Sequence, residues 1–161
     1  MCLGYFLRTI EQLHHVAAPM KIRLVMLGKT RRAELRALLD DYLARIRHHA
    51  EIEAVELRNA SAALRKLKFD SAAAVVLLDA AGKQFTSAQF ARWLAEHRAR
   101  GTREMVFLCG DAEGFPDELR RKATAKLSLS TLTMPHELAR VLLAEQLYRA
   151  FAILSGSPYP K

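Results

Sequence analysis

The chain of 161 residues predicts an α/β fold, a parallel-rich sheet with helices on both faces, and three observations carry that prediction. Strand-like runs alternate with helical stripes from Met20 onward, which is the order that βαβ units require. Two of the runs, AAVVLLD (73–79) and EMVFLCG (104–110), are apolar almost without a break, as strands covered on both faces are. Hydrophobic residues make up 51% of the sequence, enough for the core of one domain rather than two.

Taken in order, MKIRLVML (20–27) alternates Met20, Ile22, Leu24 and Met26 with Lys21, Arg23 and Val25 and reads as the first strand. Between Arg32 and His49, the residues Leu35, Leu38, Leu39, Tyr42, Leu43 and Ile46 recur at helical spacing. They make one apolar stripe beneath a basic face of Arg31, Arg32, Arg36, Arg45 and Arg47. EIEAVEL (51–57) is a second strand, and SAALRKLKF (61–69) a short helix carrying Arg65, Lys66 and Lys68. After the third strand, Ser87 is placed to cap a helix with Phe90, Trp93, Leu94 and His97 on one face, stopped by Gly101. A buried strand at EMVFLCG and a short helix from Pro116 to Ala123 follow. There is no internal repeat and no low-complexity tract.

Residues 1–19 hold one Arg and one Glu and are expected to be an N-terminal extension, either an arm or a misassigned start. Residues 20–161 are expected to form the single domain. The formal charge of +8, from 25 basic and 17 acidic residues, belongs to that domain and favours polyanions, nucleic acid first among them. Cys2 and Cys109 alone make no disulfide framework, so a reducing cytoplasm is expected. His14–His15 and His48–His49 are adjacent pairs without the i, i+4 spacing of a helical zinc site, and no metal is expected. No apolar run approaches the roughly 20 residues of a spanning helix. The first 19 residues also lack the basic start and continuous apolar core of a signal peptide, so a soluble, unsecreted protein is expected.

LGKT (27–30) stands where a phosphate-binding P-loop would lie, but the glycine that motif needs five residues before Gly28 is Arg23. A turn glycine followed by a helix cap is the reading that remains. GDAEG (110–114) ends a buried strand with two glycines four apart, which permits a tight bend and close approach of a ligand to backbone. Asp111 and Glu113 there would repel a phosphate but suit a ribose or a cation. The most informative stretch is LSLSTLTMPHELARVLLAEQLYRAF (127–151). Ser128, Ser130, Thr131 and Thr133 begin an alternation and abandon it, so a strand turns into a binding loop, and Pro135 signals a helix start. That last helix has almost no polar face, and a second copy of the chain is the economical cover for it.

LLDAAGKQFTSAQFA from Leu77, FLCGDAEGF from Phe107 and above all LSLSTLTMPHELARVLLAEQLYRAF followed by PYPK are similar to the large-subunit ribosomal RNA methyltransferase H family of the SPOUT methyltransferases. The resemblance spans about residues 20–161. It implies a cytosolic homodimer that transfers a methyl group from S-adenosylmethionine to N3 of a pseudouridine in a large-subunit ribosomal RNA hairpin, with the RNA met in assembled ribosomes. It also implies a C-terminal trefoil knot, one of the rare exceptions to unthreaded chains. Carried over by position, the cofactor contacts are Leu78, Gly110, Asp111, Ser130, Thr131, Leu132, Thr133, Met134 and Pro135.

Two positions depart from the family pattern: Asp111 stands where a second glycine is usual, and Pro160 where the tail histidine is. With no proton acceptor on Pro160, Tyr159 as a hydrogen-bonding positioner and Arg149 as a stabiliser of negative charge are the catalytic candidates, with His136 or a water as substitute proton acceptors. Lys29, Arg31, Arg32, Arg65 and Lys68 are the candidate RNA-binding cations. The alternatives are a noncatalytic RNA-binding α/β module and, with the resemblance set aside, a nucleotide-binding hydrolase.

Overall fold

The computed structural model describes residues 19–159. The expected extension, apart from its last residue, and the tail residues Pro160 and Lys161 lie outside that range. Within it the elements run β1 (Lys21–Leu27), α1 (Ala33–Ile46), β2 (Ile52–Leu57), α2 (Ala60–Lys66), β3 (Ala73–Lys83), α3 (Ser87–Ala99), β4 (Glu104–Cys109), α4 (Asp117–Lys122), β5 (Ala125–Leu127) and α5 (His136–Ser155). The five strands form one sheet in the order β2-β1-β4-β3-β5, and every neighbouring pair is parallel. The order explains the sequence. The interior strands β4 and β3 are the continuous apolar runs, whereas β2 at one edge exposes Glu53.

Because strand side chains alternate, the sheet has two cores. On one face Leu24, Met26, Val76 and Phe107 meet Leu39, Leu43 and Ile46 of α1, Phe90 and Leu94 of α3, and Val141, Leu143, Leu147 and Phe151 of α5. On the other, Val25, Leu27, Val75, Leu77, Val106 and Leu108 meet Ala63 of α2 and Leu119 of α4. Helix α5 lies against both α1 and α3, which accounts for most of its missing polar face.

The structure moves several expected boundaries. Strand β3 extends past the apolar run to Lys83, where Leu127 of β5 pairs first with Leu78 and then, across an irregularity, with Lys83. Gly82 is required at that crossing: a Cβ there would lie 2.7 Å from the backbone of Lys126 and Leu127. The cap of α3 is Thr86 rather than Ser87. Thr86 Oγ1 accepts from the Gln89 amide and Gln89 Oε1 accepts from the Thr86 amide, a reciprocal box that outcompetes a lone serine. Ser87 instead donates its hydroxyl to Gln146 on α5 at 2.9 Å. Helix α1 stops at Ile46, and Leu38 of its predicted stripe is 48% exposed. No side chain of its own caps α1. Pro135 stands one residue ahead of α5 as its boundary, with its carbonyl accepting from the Ala139 amide.

Candidate cofactor and RNA site

Parallel strands leave their carboxyl ends at one edge of the sheet, and in open α/β folds ligands collect there. At that edge Leu78 and Asp79 of β3, Cys109 of β4, the 110–115 turn, the 129–134 loop and the first turn of α5 enclose a cavity of about 250 Å³. Of the cofactor residues expected from the sequence, Leu78, Gly110, Asp111, Ser130, Leu132, Thr133 and Met134 line it, while Thr131 and Pro135 do not.

The hydroxyl residues that looked out of place among leucines shape this loop. Ser128 donates its hydroxyl to the Ser130 carbonyl at 3.0 Å, and Ser130 Oγ accepts from the Leu132 amide at 3.0 Å. These short-range bonds replace the strand ladder that ends at Leu127. The facing turn is held the same way. Asp111 Oδ1 accepts from the Glu113 amide at 3.0 Å, and the Gly114 amide donates to the Asp111 carbonyl at 3.2 Å, with Gly114 at φ +74°. A Cβ on Gly110 would sit 3.2 Å from the Phe115 ring, so glycine lets the turn fold onto that ring.

Sequence reasoning missed four residues of the site. Asp79 receives Nη1 of Arg120 at 2.6 Å and the Ala81 amide at 2.9 Å. The Ala81 amide above all, and Arg120 with it, hold the Asp79 carboxyl below the usual aspartate range. Arg120 also donates to the Phe115 carbonyl, tying α4 to the turn. Glu137 accepts from the Arg31 and Arg32 amides at 2.9 and 3.1 Å, and these bonds keep its carboxyl below the ordinary glutamate value. Arg140, 0% exposed, donates to Thr30 Oγ1 at 2.9 Å and to the Leu27 carbonyl at 2.6 Å. Burial lowers its guanidinium pKa. Glu137 and Arg140 thus fix the β1–α1 loop to the first turns of α5. The Cys109 thiol in the cavity wall is pushed up to about 12 by burial, which leaves it a protonated packing group.

The five candidate RNA cations are not brought together. Lys29, Arg31 and Arg32 follow the carboxyl end of β1, on the same edge of the sheet as the cavity but outside its lining. Arg65 is in the last turn of α2 and Lys68 in the segment returning to the start of β3, on the opposite face. The reason is the crossover itself, since a helix between parallel strands runs back toward their amino ends.

Arg149 and Tyr159 are placed elsewhere again. Arg149 lies thirteen positions beyond His136, roughly 20 Å along the helix. It pairs with Glu145 at 2.7 Å, and its guanidinium lies 4.5 Å from the centre of the Tyr159 ring. Tyr159 stands edge-on to Tyr148 with centroids 4.8 Å apart. Burial first, and then hydrogen bonding with Tyr42, pushes its hydroxyl up to about 12. Leu138, Leu142 and Ile153 leave an exposed apolar stripe along the same helix. No helix among the described residues is long and apolar enough to cross a membrane.

A parallel sheet whose carboxyl edge holds a cavity between a glycine turn and a hydroxyl-ordered loop defines an α/β protein with its ligand-sized cavity where open α/β folds hold theirs. The chain belongs to the SPOUT methyltransferases: the family model described as "Predicted SPOUT methyltransferase" matches residues 20–160, which contain the whole sheet. Among its relatives are proteins named ribosomal RNA large subunit methyltransferase H. That of Koribacter versatilis is 41% identical over 143 residues, covering 87% of this chain and 97% of the relative. Those of Geotalea daltonii and Gloeobacter violaceus are 40% and 41% identical over 151 residues, covering 87% of this chain and 99% and 98% of the relatives.

Proposed function

We propose that this protein is a cytoplasmic, homodimeric methyltransferase that transfers the methyl group of S-adenosylmethionine to N3 of a pseudouridine in large-subunit ribosomal RNA, within assembled ribosomes. The observation that carries the reading is the carboxyl-edge cavity between the Gly110 turn and the 129–134 loop, in a chain of this family. The residues present fit the group. Leu78, Leu129 and Met134 offer an apolar wall for adenine, the backbone of 130–134 and Gly110 offers hydrogen-bonding groups, and Asp111 offers a carboxylate to a cation. The C-terminal knot that the resemblance implies belongs to the same proposal.

S-adenosylmethionine supplies a methyl group on a sulfonium that already leaves well, so the protein's task is alignment and removal of the N3 proton. With its hydroxyl pushed up to about 12, Tyr159 remains a hydrogen-bond donor near neutral pH and serves as a positioner, not a base. Arg149, always cationic, stabilises negative charge on the acceptor ring. Both lie near the far end of α5, and in a homodimer they would serve the cavity of the other copy. The exposed stripe of Leu138, Leu142 and Ile153 supports that arrangement.

Calorimetric titration with S-adenosylmethionine and S-adenosylhomocysteine, followed by methyl transfer to pseudouridine-containing ribosomal particles, tests the reading. Saturable binding and turnover are expected. Binding to neither compound would turn the reading toward an RNA-binding module, and a preference for nucleoside triphosphates toward a hydrolase.

A further inference from the structure

We infer that a second cavity, beside the first, receives the acceptor nucleotide of the RNA, with its phosphate on Lys29 and Arg31 and its ribose hydroxyl or N–H edge on Asp111 and Glu113. The inference rests on the methyltransferase reading above and adds to it the place where the RNA strand enters. This cavity, about 510 Å³, opens between the β1–α1 loop and the 111–113 turn. It shares Asp111 and His136 with the cofactor cavity, so the two spaces adjoin at those residues. Direct transfer between two bound molecules requires such contiguity, because the reacting atoms must come within about 3–3.5 Å of each other.

The charges around it are sorted. Lys29 and Arg31 line it, are exposed and take no ion pair among the described residues. Across the cavity stand Asp111 and Glu113. A bare phosphate would meet both signs at once. A ribonucleotide carries an anion and neutral donors on one molecule and so satisfies both walls.

The cationic wall is also built in advance. Gly28 turns the chain at φ +77°, Arg140 holds Thr30 and Leu27 from beneath, and Glu137 holds the Arg31 and Arg32 amides. Both anchors are on α5, whose first residue, His136, is part of the shared wall. The distance between the cations and the cofactor cavity is therefore set by one rigid helix, and little ordering is left for binding to offset.

The test uses the full chain with ribosomal particles as substrate and S-adenosylhomocysteine as the calorimetric probe. Lys29→Ala with Arg31→Ala should raise KM for particles about tenfold or more and flatten the slope of log KM against log salt by roughly 1.4 to 1.8, at about 0.7 to 0.9 per lost phosphate contact. It should leave the Kd for S-adenosylhomocysteine and the thermal midpoint unchanged. Lys29→Arg with Arg31→Lys, which keeps both charges, should restore the slope. Unchanged KM and slope in a variant that still binds S-adenosylhomocysteine would overturn the subsite and leave the methyltransferase reading standing. Loss of S-adenosylhomocysteine binding in the variant would also overturn it, because the cations would then belong to the cofactor cavity. Failure of the wild type to bind that compound would instead sink the reading beneath it.

Discussion

At the first two turns of α5, Glu137 and Arg140 direct their charges into their own chain, onto the backbone and hydroxyl of residues 27–32. Nearer its other end, Glu145 and Arg149 satisfy each other at a half-buried surface beside Tyr148 and Tyr159. The same residue types therefore do two kinds of work. Where the partners are backbone groups of a distant loop, the charges assemble a site within one chain. Where the charges are paired locally and stand roughly 9 to 15 Å of helix beyond Ala139, the last residue of α5 that lines the cavity, they are suited to act on something brought to them. Burial separates the two ends energetically as well, since desolvated groups left without partners cost far more than surface pairs do.

The sharpest break between the ends comes from two parallel substitutions. Arg140→Met removes the donors to Thr30 and Leu27 and should cost about 2–4 kcal/mol of stability, read from urea midpoints, with a matching fall in S-adenosylhomocysteine affinity. Arg149→Met loses a locally paired surface cation and should cost less than about 1 kcal/mol, yet lower methyl transfer at least tenfold. If Arg149→Met destabilised as much as Arg140→Met, or transferred methyl groups at the wild-type rate, the division between the two ends would be wrong.

Turnover should also respond to the tail. N3 of pseudouridine is largely protonated near neutral pH, and Pro160 brings no acceptor to it. Pro160→His should raise turnover, by up to the 10²- to 10⁴-fold that a placed acid–base group typically supplies, and barely change S-adenosylmethionine affinity. Equal rates for wild type and variant, with Tyr159→Phe harmless too, would remove the tail from the mechanism.

Leu142→Asp probes the middle of the helix. Leu142 is 38% exposed on the apolar stripe, so the charge should leave the circular dichroism spectrum intact, shift sedimentation to monomer and reduce turnover by about tenfold or more. A folded, fully active monomer would mean that the far end of α5 serves its own chain after all.

What the sequence disclosed follows the same division. The strands β1 to β4 and the helices were legible, because runs and stripes of apolar residues are a local signal, whereas the sequence starts the last strand at Leu127, the residue at which β5 (Ala125–Leu127) in fact ends. The end of β3 was not, since AAGK carries no apolar pattern and its pairing with Leu127 depends on a loop more than forty residues away. Thr86 was legible in principle, through the Thr-x-x-Gln spacing to Gln89, but its neighbour Ser87 is the same kind of residue. The glycine turn and the hydroxyl loop announced a cavity, because glycine and serine mark departures from regular backbone. Glu137 and Arg140 read as ordinary helix charges, since their partners lie more than a hundred residues earlier. Nor does a basic stripe on a short helix say which face of the sheet it covers. Arg65 and Lys68 were therefore grouped with cations from which the fold separates them.

The smallest effect expected is a pH dependence at the first turn of α5. The Arg31 amide first, and the Arg32 amide second, hold Glu137 below its ordinary value, so the folded protein binds this proton less readily than the unfolded chain does. The anchoring contribution is then fully present above the unfolded value of about 4.3 and is lost as pH falls through the lower folded value. Other depressed carboxylates, Glu53, Glu56 and Asp79, titrate in the same acid range, so the wild-type curve alone does not isolate Glu137. The difference between wild type and Glu137→Gln does. Glutamine keeps one acceptor oxygen for the Arg31 amide but neither the charge nor the second acceptor. The gap in thermal midpoint should be constant from neutral pH down to about 5 and close below about 4. A gap that persists unchanged at pH 3 would mean that Glu137 acts by shape alone and that its ionisation does not hold the basic loop.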